Sequence, residues 1–232
     1  MMLVISGASK GIGKAIVERF AKANYDIVAC SRQLNELHLL KKDIEERYKV
    51  NVYVQSSDLS IKEDVKVFVD FVKRIGKPID VLVNNAGMFV LGTIHQEQEG
   101  TLEKLIETNL YSAYYLTRGL IDAMIMQKKG HIFNISSIAG ISTYANCSSY
   151  TISKHALQGF SKCLREEMKP YGIKVTTVVP GATLTNSWAG TSLPPERFCQ
   201  PKDIAEMVFA ASQLSESAVV EEIIIRPQLG DI

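Results

Sequence analysis

Leu3-Val4-Ile5-Ser6-Gly7-Ala8-Ser9-Lys10-Gly11-Ile12-Gly13 decides how the rest of this chain is read. Leu3 to Ser6 is the apolar run of a short buried strand, and Ile16, Val17, Phe20 and Ala21 recur at helical spacing after the glycines. Gly-x-x-x-Gly-x-Gly between a strand and a helix is the form of a phosphate-binding turn. Glycine permits a tight turn and close backbone approach to a pyrophosphate, while the helix start offers free N–H groups and a positive dipole end. On this reading Gly7, Ser9, Gly11, Ile12 and Gly13 form a cradle with Lys10 inside it. A glycine cluster alone marks only a turn; the flanking strand and helix give it meaning.

Working outward, the second strand runs from Asp26 to Cys30 and ends in Ser31-Arg32. An acidic residue about 20 residues past the glycines would bind the ribose 2′-hydroxyl of NAD. Here Arg32 follows a neutral Ser31, and a guanidinium at that point pairs with a 2′-phosphate. Lys10 adds a second charge, so both features favour NADP(H); the competing reading is two ordinary surface basic residues. Leu34 to Tyr48 is an amphipathic helix pattern, and Val50 to Gln55 the third strand. Ser57-Asp58-Leu59 lies at its carboxyl end, where ligands bind in doubly wound sheets. Asp58 either accepts a hydrogen bond from an adenine amino group or caps the helix starting near Ile61, a role for which Ser60 competes. That helix pattern runs from Val65 to Ile75. The apolar strand Ile79–Val83 then enters Asn84-Asn85-Ala86-Gly87, and the small residues there let a ribose lie against the backbone at Asn85, Ala86 and Gly87.

Thr101 to Met126 reads as a long helix with Asn109 inside its apolar stripe, which requires a hydrogen-bonded amide. His131 to Ser136 is the fifth strand, with Ser137 at its carboxyl end. Ser148 to Tyr171 is a helix capped by Ser148 or Ser149. Tyr150 and Lys154, at i,i+4, share one face of it. An ammonium beside a phenol favours the phenolate and lowers the tyrosine pKa from its usual value of about 10, so that Tyr150 exchanges a proton near neutral pH. Ser137 then aims its hydroxyl at the same substrate oxygen. Cys147, close by, reads as a spectator thiol.

The chain has 232 residues, which suits one α/β domain over 1–232. Hydrophobic content of 46%, charged content of 22% and a net charge of +1 give no electrostatic pull toward nucleic acid or anionic membrane. No apolar run reaches the roughly 18 residues that span a bilayer. Met1 to Ile5 enters a strand at once, leaving no room for a signal peptide. Cys30, Cys147, Cys163 and Cys199 lack metal-ligand spacing, as do His38, His95, His131 and His155, so free thiols in a cytoplasmic protein without a metal are expected.

Taken together, Ser6-Gly7-Ala8-Ser9-Lys10-Gly11-Ile12-Gly13, Asn84-Asn85-Ala86-Gly87, Asn109, Ser137, Tyr150-Thr151-Ile152-Ser153-Lys154 and Pro180-Gly181 resemble the short-chain dehydrogenase/reductase family in order and spacing, over nearly the whole chain. The resemblance implies an α/β, Rossmann-type doubly wound sheet of seven parallel strands with helices on both faces. It implies that Asn109, Ser137, Tyr150 and Lys154 are the catalytic set, with Asn109 holding a water that links Lys154 to solvent; the residues alone equally allow a buried Asn bonded to nearby backbone. It places Pro180, Gly181, Thr183 and Thr185 against the nicotinamide after the strand Ile173–Val179, with Thr183 binding the carboxamide through its backbone. Residues 186–200 resemble a short substrate-covering segment, in which Trp188 lines the pocket or anchors the loop. Arg226 to Ile232 departs from the family's Gly-rich tail. The helices at 101–126 and 148–171 are those by which relatives dimerise, so a homodimer or homotetramer is expected. The implied activity is NADP(H)-dependent hydride transfer on a small-molecule carbonyl or secondary alcohol, as a carbonyl reductase; the rival is an NADP(H)-binding regulatory protein without turnover.

Overall fold

The computed structural model describes residues 1–232. Seven parallel strands form one sheet: β1 Met2–Ser6, β2 Asp26–Ser31, β3 Val52–Ser56, β4 Val81–Asn84, β5 Gly130–Ile135, β6 Ile173–Pro180 and β7 Glu222–Ile225. Their order is β3-β2-β1-β4-β5-β6-β7. Helices α1 Gly11–Ala21, α2 Leu34–Tyr48, α3 Lys62–Ile75, α4 Thr101–Ile106, α5 Ser112–Gln127, α6 Ser148–Met168 and α7 Pro201–Ser212 connect them. This is the doubly wound Rossmann-type architecture expected from the sequence.

Because side chains alternate along a strand, each strand feeds two cores. Leu3 and Ile5 of β1 pack with α1, α2 and α7, whereas Met2 and Val4 pack with α3, α5 and α6. The chain steps outward from β1 to β3, then returns to β4 on the other side of β1. The two halves therefore diverge between β1 and β4, and the crevice beyond their carboxyl ends is the ligand-binding location of such sheets.

Under that crevice a polar column crosses the core. Asn84 Nδ2 donates to Thr117 Oγ1 at 2.9 Å and to Asn134 Oδ1 at 2.7 Å, and Asn134 Nδ2 donates to Ser161 Oγ at 2.8 Å. It ties β4 and β5 to α5 and α6 through bonds made in a low-dielectric interior, where leaving one partner unmatched is costly.

Several expected boundaries shift for identifiable reasons. The rod expected over 101–126 is broken by a π turn at Glu107–Tyr111, where Asn109 turns inward. The helix expected to reach Tyr171 ends at Met168 and tightens into a 3₁₀ turn over Lys169–Tyr171, where Pro170 supplies no N–H. Helix α3 starts at Lys62, earlier than Val65, and its cap residue is Ile61. Neither Asp58 nor Ser60 caps it: Asp58 Oδ1 accepts from the Ser60 N–H at 3.1 Å and hydroxyl at 2.7 Å, turning the loop instead. Neither Ser148 nor Ser149 caps α6; Cys147 stands at that position without a side-chain cap bond. No helix is long and apolar enough to cross a membrane.

Asn134→Leu removes the middle of the polar column and takes one partner each from Asn84 and Ser161. It is expected to destabilise the fold by about 1–3 kcal/mol in chemical denaturation.

Candidate active site

The glycine turn is shaped by close contact. Gly7 and Gly11 have φ of 65° and 52°, in the left-handed region. A β-carbon on Gly13 would lie 2.2 Å from the Gly7 carbonyl oxygen and 2.6 Å from Asn85 Nδ2. Asn85 Nδ2 donates to the carbonyls of Gly7 at 2.8 Å and Ser6 at 3.2 Å, while Ser6 Oγ accepts the N–H groups of Asn85 and Ala86 at 3.0 Å each. The end of β4 thus staples the turn that follows β1. Lys10, the cap residue of α1, makes no side-chain cap bond, so the first N–H groups of the helix remain for a ligand or solvent.

A crevice of about 470 Å³ opens over this turn. Gly7, Ser9, Lys10, Gly11 and Ile12 form one wall, Arg32, Asp58 and Leu59 a second, and Asn85, Ala86 and Gly87 a third. Gly13 packs against the Gly7 carbonyl and does not line this crevice. Both bonds to the Asp58 carboxylate fall on Oδ1, leaving Oδ2 to accept from a ligand. The exposed Arg32 forms no ion pair, so its guanidinium is available to an anion. Lys10 also lines the crevice and is paired at its surface: its Nζ lies 2.5 Å from Glu36 Oε1 and holds that carboxyl below its usual range.

A second cavity of about 390 Å³ adjoins the first, and Ile12, Thr185 and Ser187 line both. Ser137, Tyr150, Pro180, Gly181 and Thr183 line it. Ser137 follows β5, with its Oγ accepting from the Ala139 N–H at 3.2 Å. Tyr150 occupies the first turn of α6, and its ring meets Phe89 edge-on at 4.8 Å between centroids. Lys154, one turn on and 5% exposed, donates from Nζ to the Ile135 carbonyl at 3.0 Å. Thr183 is buried and spends its hydroxyl on the Gly181 carbonyl at 2.9 Å. Its own N–H is left without a backbone partner. Trp188 fulfils both readings: it lines the cavity, stacks near Phe89, and anchors edge-on against buried Phe198.

The electrostatics differ from expectation. Burial pushes the Tyr150 phenol up to about 12, with the Ser137 hydroxyl acting the other way. Burial also pulls Lys154 down to about 8. The Lys154 Nζ sits 5.8 Å from the Tyr150 ring centroid and bonds backbone instead, so its charge does not overcome desolvation of the phenol. The expected lowering of the Tyr150 pKa is therefore absent.

Asn109, 1% exposed, makes three side-chain hydrogen bonds. Its Oδ1 accepts the Met88 N–H at 2.8 Å, and Nδ2 donates to the Met88 carbonyl at 3.0 Å and Ser153 Oγ at 2.9 Å. Both Nδ2 hydrogens are used on protein partners, while Oδ1 keeps a second lone pair, so the side chain anchors the Met88 backbone and can still accept from a water. A β-carbon on Gly87 would lie 3.2 Å from Asn109 Oδ1 and 3.5 Å from Lys154 Nζ, which places Gly87 between them.

Sequence reasoning missed Phe89, which carries no motif, and left the role of the tail open. Asp231 and Ile232 line the second cavity. Arg226 Nε donates to Asp231 Oδ1 at 3.1 Å, and Tyr144 donates to Asp231 Oδ2. Pro227 lies so close to Gly181 that a β-carbon there would meet its Cδ at 2.9 Å.

With this geometry in hand, residues 1–194 match the family profile described as short chain dehydrogenase. The chain belongs to the short-chain dehydrogenase/reductase family of oxidoreductases. It is 31% identical over 224 residues to an uncharacterised oxidoreductase of Staphylococcus saprophyticus, covering 97% of this chain and 96% of that protein. It is 33% identical over 240 residues to a sepiapterin reductase of Chlorobaculum tepidum, covering 100% and 98%. Among solved structures, L-sorbose reductase from Gluconobacter frateurii complexed with NADPH and L-sorbose matches with a TM-score of 0.90 at 29% identity, covering 97% of this chain and 95% of that one. A metagenomic short-chain oxidoreductase in complex with NADP matches with a TM-score of 0.87 at 30% identity, covering 98% and 97%.

Lys154 carries a stability prediction. Its folded pKa of about 8 lies below the ordinary 10.5, so the folded chain binds fewer protons than the unfolded chain between those values. Stability is then lost as pH falls from 10.5 through 8. Lys154→Met is expected to melt higher than wild type at pH 7, by on the order of 5 °C. The gap should close in melts taken toward pH 10.5.

Proposed function

We propose that this chain is an NADP(H)-dependent carbonyl reductase that also runs in the alcohol-oxidising direction. The observation that carries this reading is the junction of two cavities. One holds the glycine turn and the unpaired Arg32; the other holds Ser137 and Tyr150, with Lys154 buried behind them. The residues fit the cofactor: an uncapped helix start for the pyrophosphate, Arg32 for the 2′-phosphate, Asp58 for the adenine, and the Thr183 N–H for the carboxamide. NADPH supplies the hydride.

Tyr150 gives its hydroxyl proton to the substrate oxygen, and Ser137 donates a hydrogen bond that holds that oxygen in place. Lys154 balances the tyrosinate that remains and orients the cofactor ribose. With its pKa raised to about 12, Tyr150 is protonated at neutral pH, the form that reduction needs. Residues 1–232 act as one domain, with 186–200 covering the substrate. Exposed Tyr111, Tyr114 and Ile152 on the outer face around α4–α6 suit self-association as a homodimer or homotetramer. The cysteines form no disulfide, which suits a reducing, cytoplasmic setting.

The test is NADPH oxidation against a panel of ketones, aldehydes and quinones. Tyr150→Phe is expected to lower kcat by about 10²–10⁴-fold. Equal rates for the two proteins would sink the mechanism, and tight NADPH binding without turnover on any carbonyl would leave the non-catalytic binder as the reading. For the cofactor, Arg32→Ala is expected to weaken NADPH binding by about 10–100-fold and NADH binding little. Unchanged selectivity would refute the 2′-phosphate assignment.

A further inference from the structure

Resting on that reading, we propose that Glu97 is a positioning residue, the external clamp that fixes Tyr150 relative to Ser137. The first turn of α6 has no cap of its own, since Cys147 makes no side-chain cap bond. The Glu97 carboxylate takes that place from outside the helix. Its Oε1 accepts the Ser149 N–H at 3.2 Å, and its Oε2 accepts the Ser149 hydroxyl. A carboxylate there also complements the positive end of the helix dipole. Ser149 is buried, and Tyr150 is the next residue.

The segment carrying Glu97 holds Tyr150 from several sides. Its start is pinned by Asn109 to the Met88 backbone. Phe89 packs edge-on against the Tyr150 ring. Gly92 donates its N–H to the Asn146 carbonyl at 2.7 Å and accepts the Ser148 N–H at 3.1 Å. Gly92 does not sit in the left-handed region, so its backbone does not demand glycine. What it lacks is room: a β-carbon would lie 2.4 Å from Glu97 Cγ. The space beside Gly92 belongs to the Glu97 side chain, which leans across it to reach α6.

The consequence is catalytic because proton transfer tolerates little displacement; a misplacement of about 1 Å can cost about 10²-fold in rate. Glu97 touches neither cavity, so its loss should reach the reaction only through Tyr150.

The experiment compares wild type, Glu97→Ala, Glu97→Gln, Gly92→Ala and the Gly92→Ala/Glu97→Ala double variant. Each is measured for kcat, KM, NADPH affinity by fluorescence, and Tm. Glu97→Ala is expected to lower kcat by about 10–100-fold with NADPH affinity unchanged. Glu97→Gln, which keeps an acceptor for the Ser149 N–H, should recover most of that loss. Gly92→Ala, which leaves the carboxylate intact but displaces it, should lower kcat in the same way and add little in the double variant. Wild-type kcat in Glu97→Ala, additive losses in the double variant, or a fall in Tm with kcat retained would each overturn the clamp. Failure of the reductase reading shows separately, as a wild-type protein that binds NADPH but turns over no carbonyl, or as Tyr150→Phe equal to wild type. In that case the clamp is judged on tyrosine ionisation followed by ultraviolet absorbance: it stands if Glu97→Ala moves the Tyr150 titration and falls if it does not.

Discussion

A carbonyl oxygen and a bare α-carbon meet where β1 becomes α1, and much of the molecule depends on that contact. Gly13 lies so close to the Gly7 carbonyl that any side chain there would be driven into backbone. The approach lets α1 start directly over the end of β1. Asn85 locks it by bonding the carbonyls of Ser6 and Gly7 from the neighbouring strand. The Asn85 side chain is thus spent on holding the turn in shape. Because β1 and β4 flank the point where the sheet reverses, this staple also fixes the two halves of the crevice to each other.

Burial governs the other half of the site. Desolvation disfavours the charged form of each group, so it moves the phenol up and the ammonium down. The two protonation equilibria, close together in the free side chains, are thus driven apart. Fixed neighbours hold the pair in place: the Ile135 carbonyl on Lys154, Phe89 on Tyr150, and the Ser137 loop packed on α6 through Gly140, where a β-carbon would meet the Lys154 carbonyl at 2.9 Å. Rigid support of this kind is what lets weakly exposed groups act in a defined geometry.

The sheet, its helices and most site residues were legible because each rests on a local rule. Period-2 and period-3.6 patterns placed the elements, and the glycines announced a turn with one workable geometry. What stayed hidden depends on contacts distant in sequence. Nothing near Glu36 says that it pairs with Lys10, and nothing near Asp231 says that it reaches Tyr144. The sign of the Tyr150 shift was missed because spacing reveals a neighbour's charge but not the depth of burial. Asn109 was found from the apolar stripe around it, yet its partners, the Met88 backbone and Ser153, follow only from the fold.

The π turn at Glu107–Tyr111 has a consequence of phase. From buried Leu105 to buried Met124 is 124 − 105 = 19 positions. Five regular α-helical turns use about 18, so a uniform helix would be roughly 100° out of step by its far end. The wide turn absorbs the surplus residue at one place, and the apolar edge stays aligned on both sides of it. One rod can then meet α6 with its first part and α3 with its second, each in register, while the residue at the correction point, Asn109, is free to point across to the site.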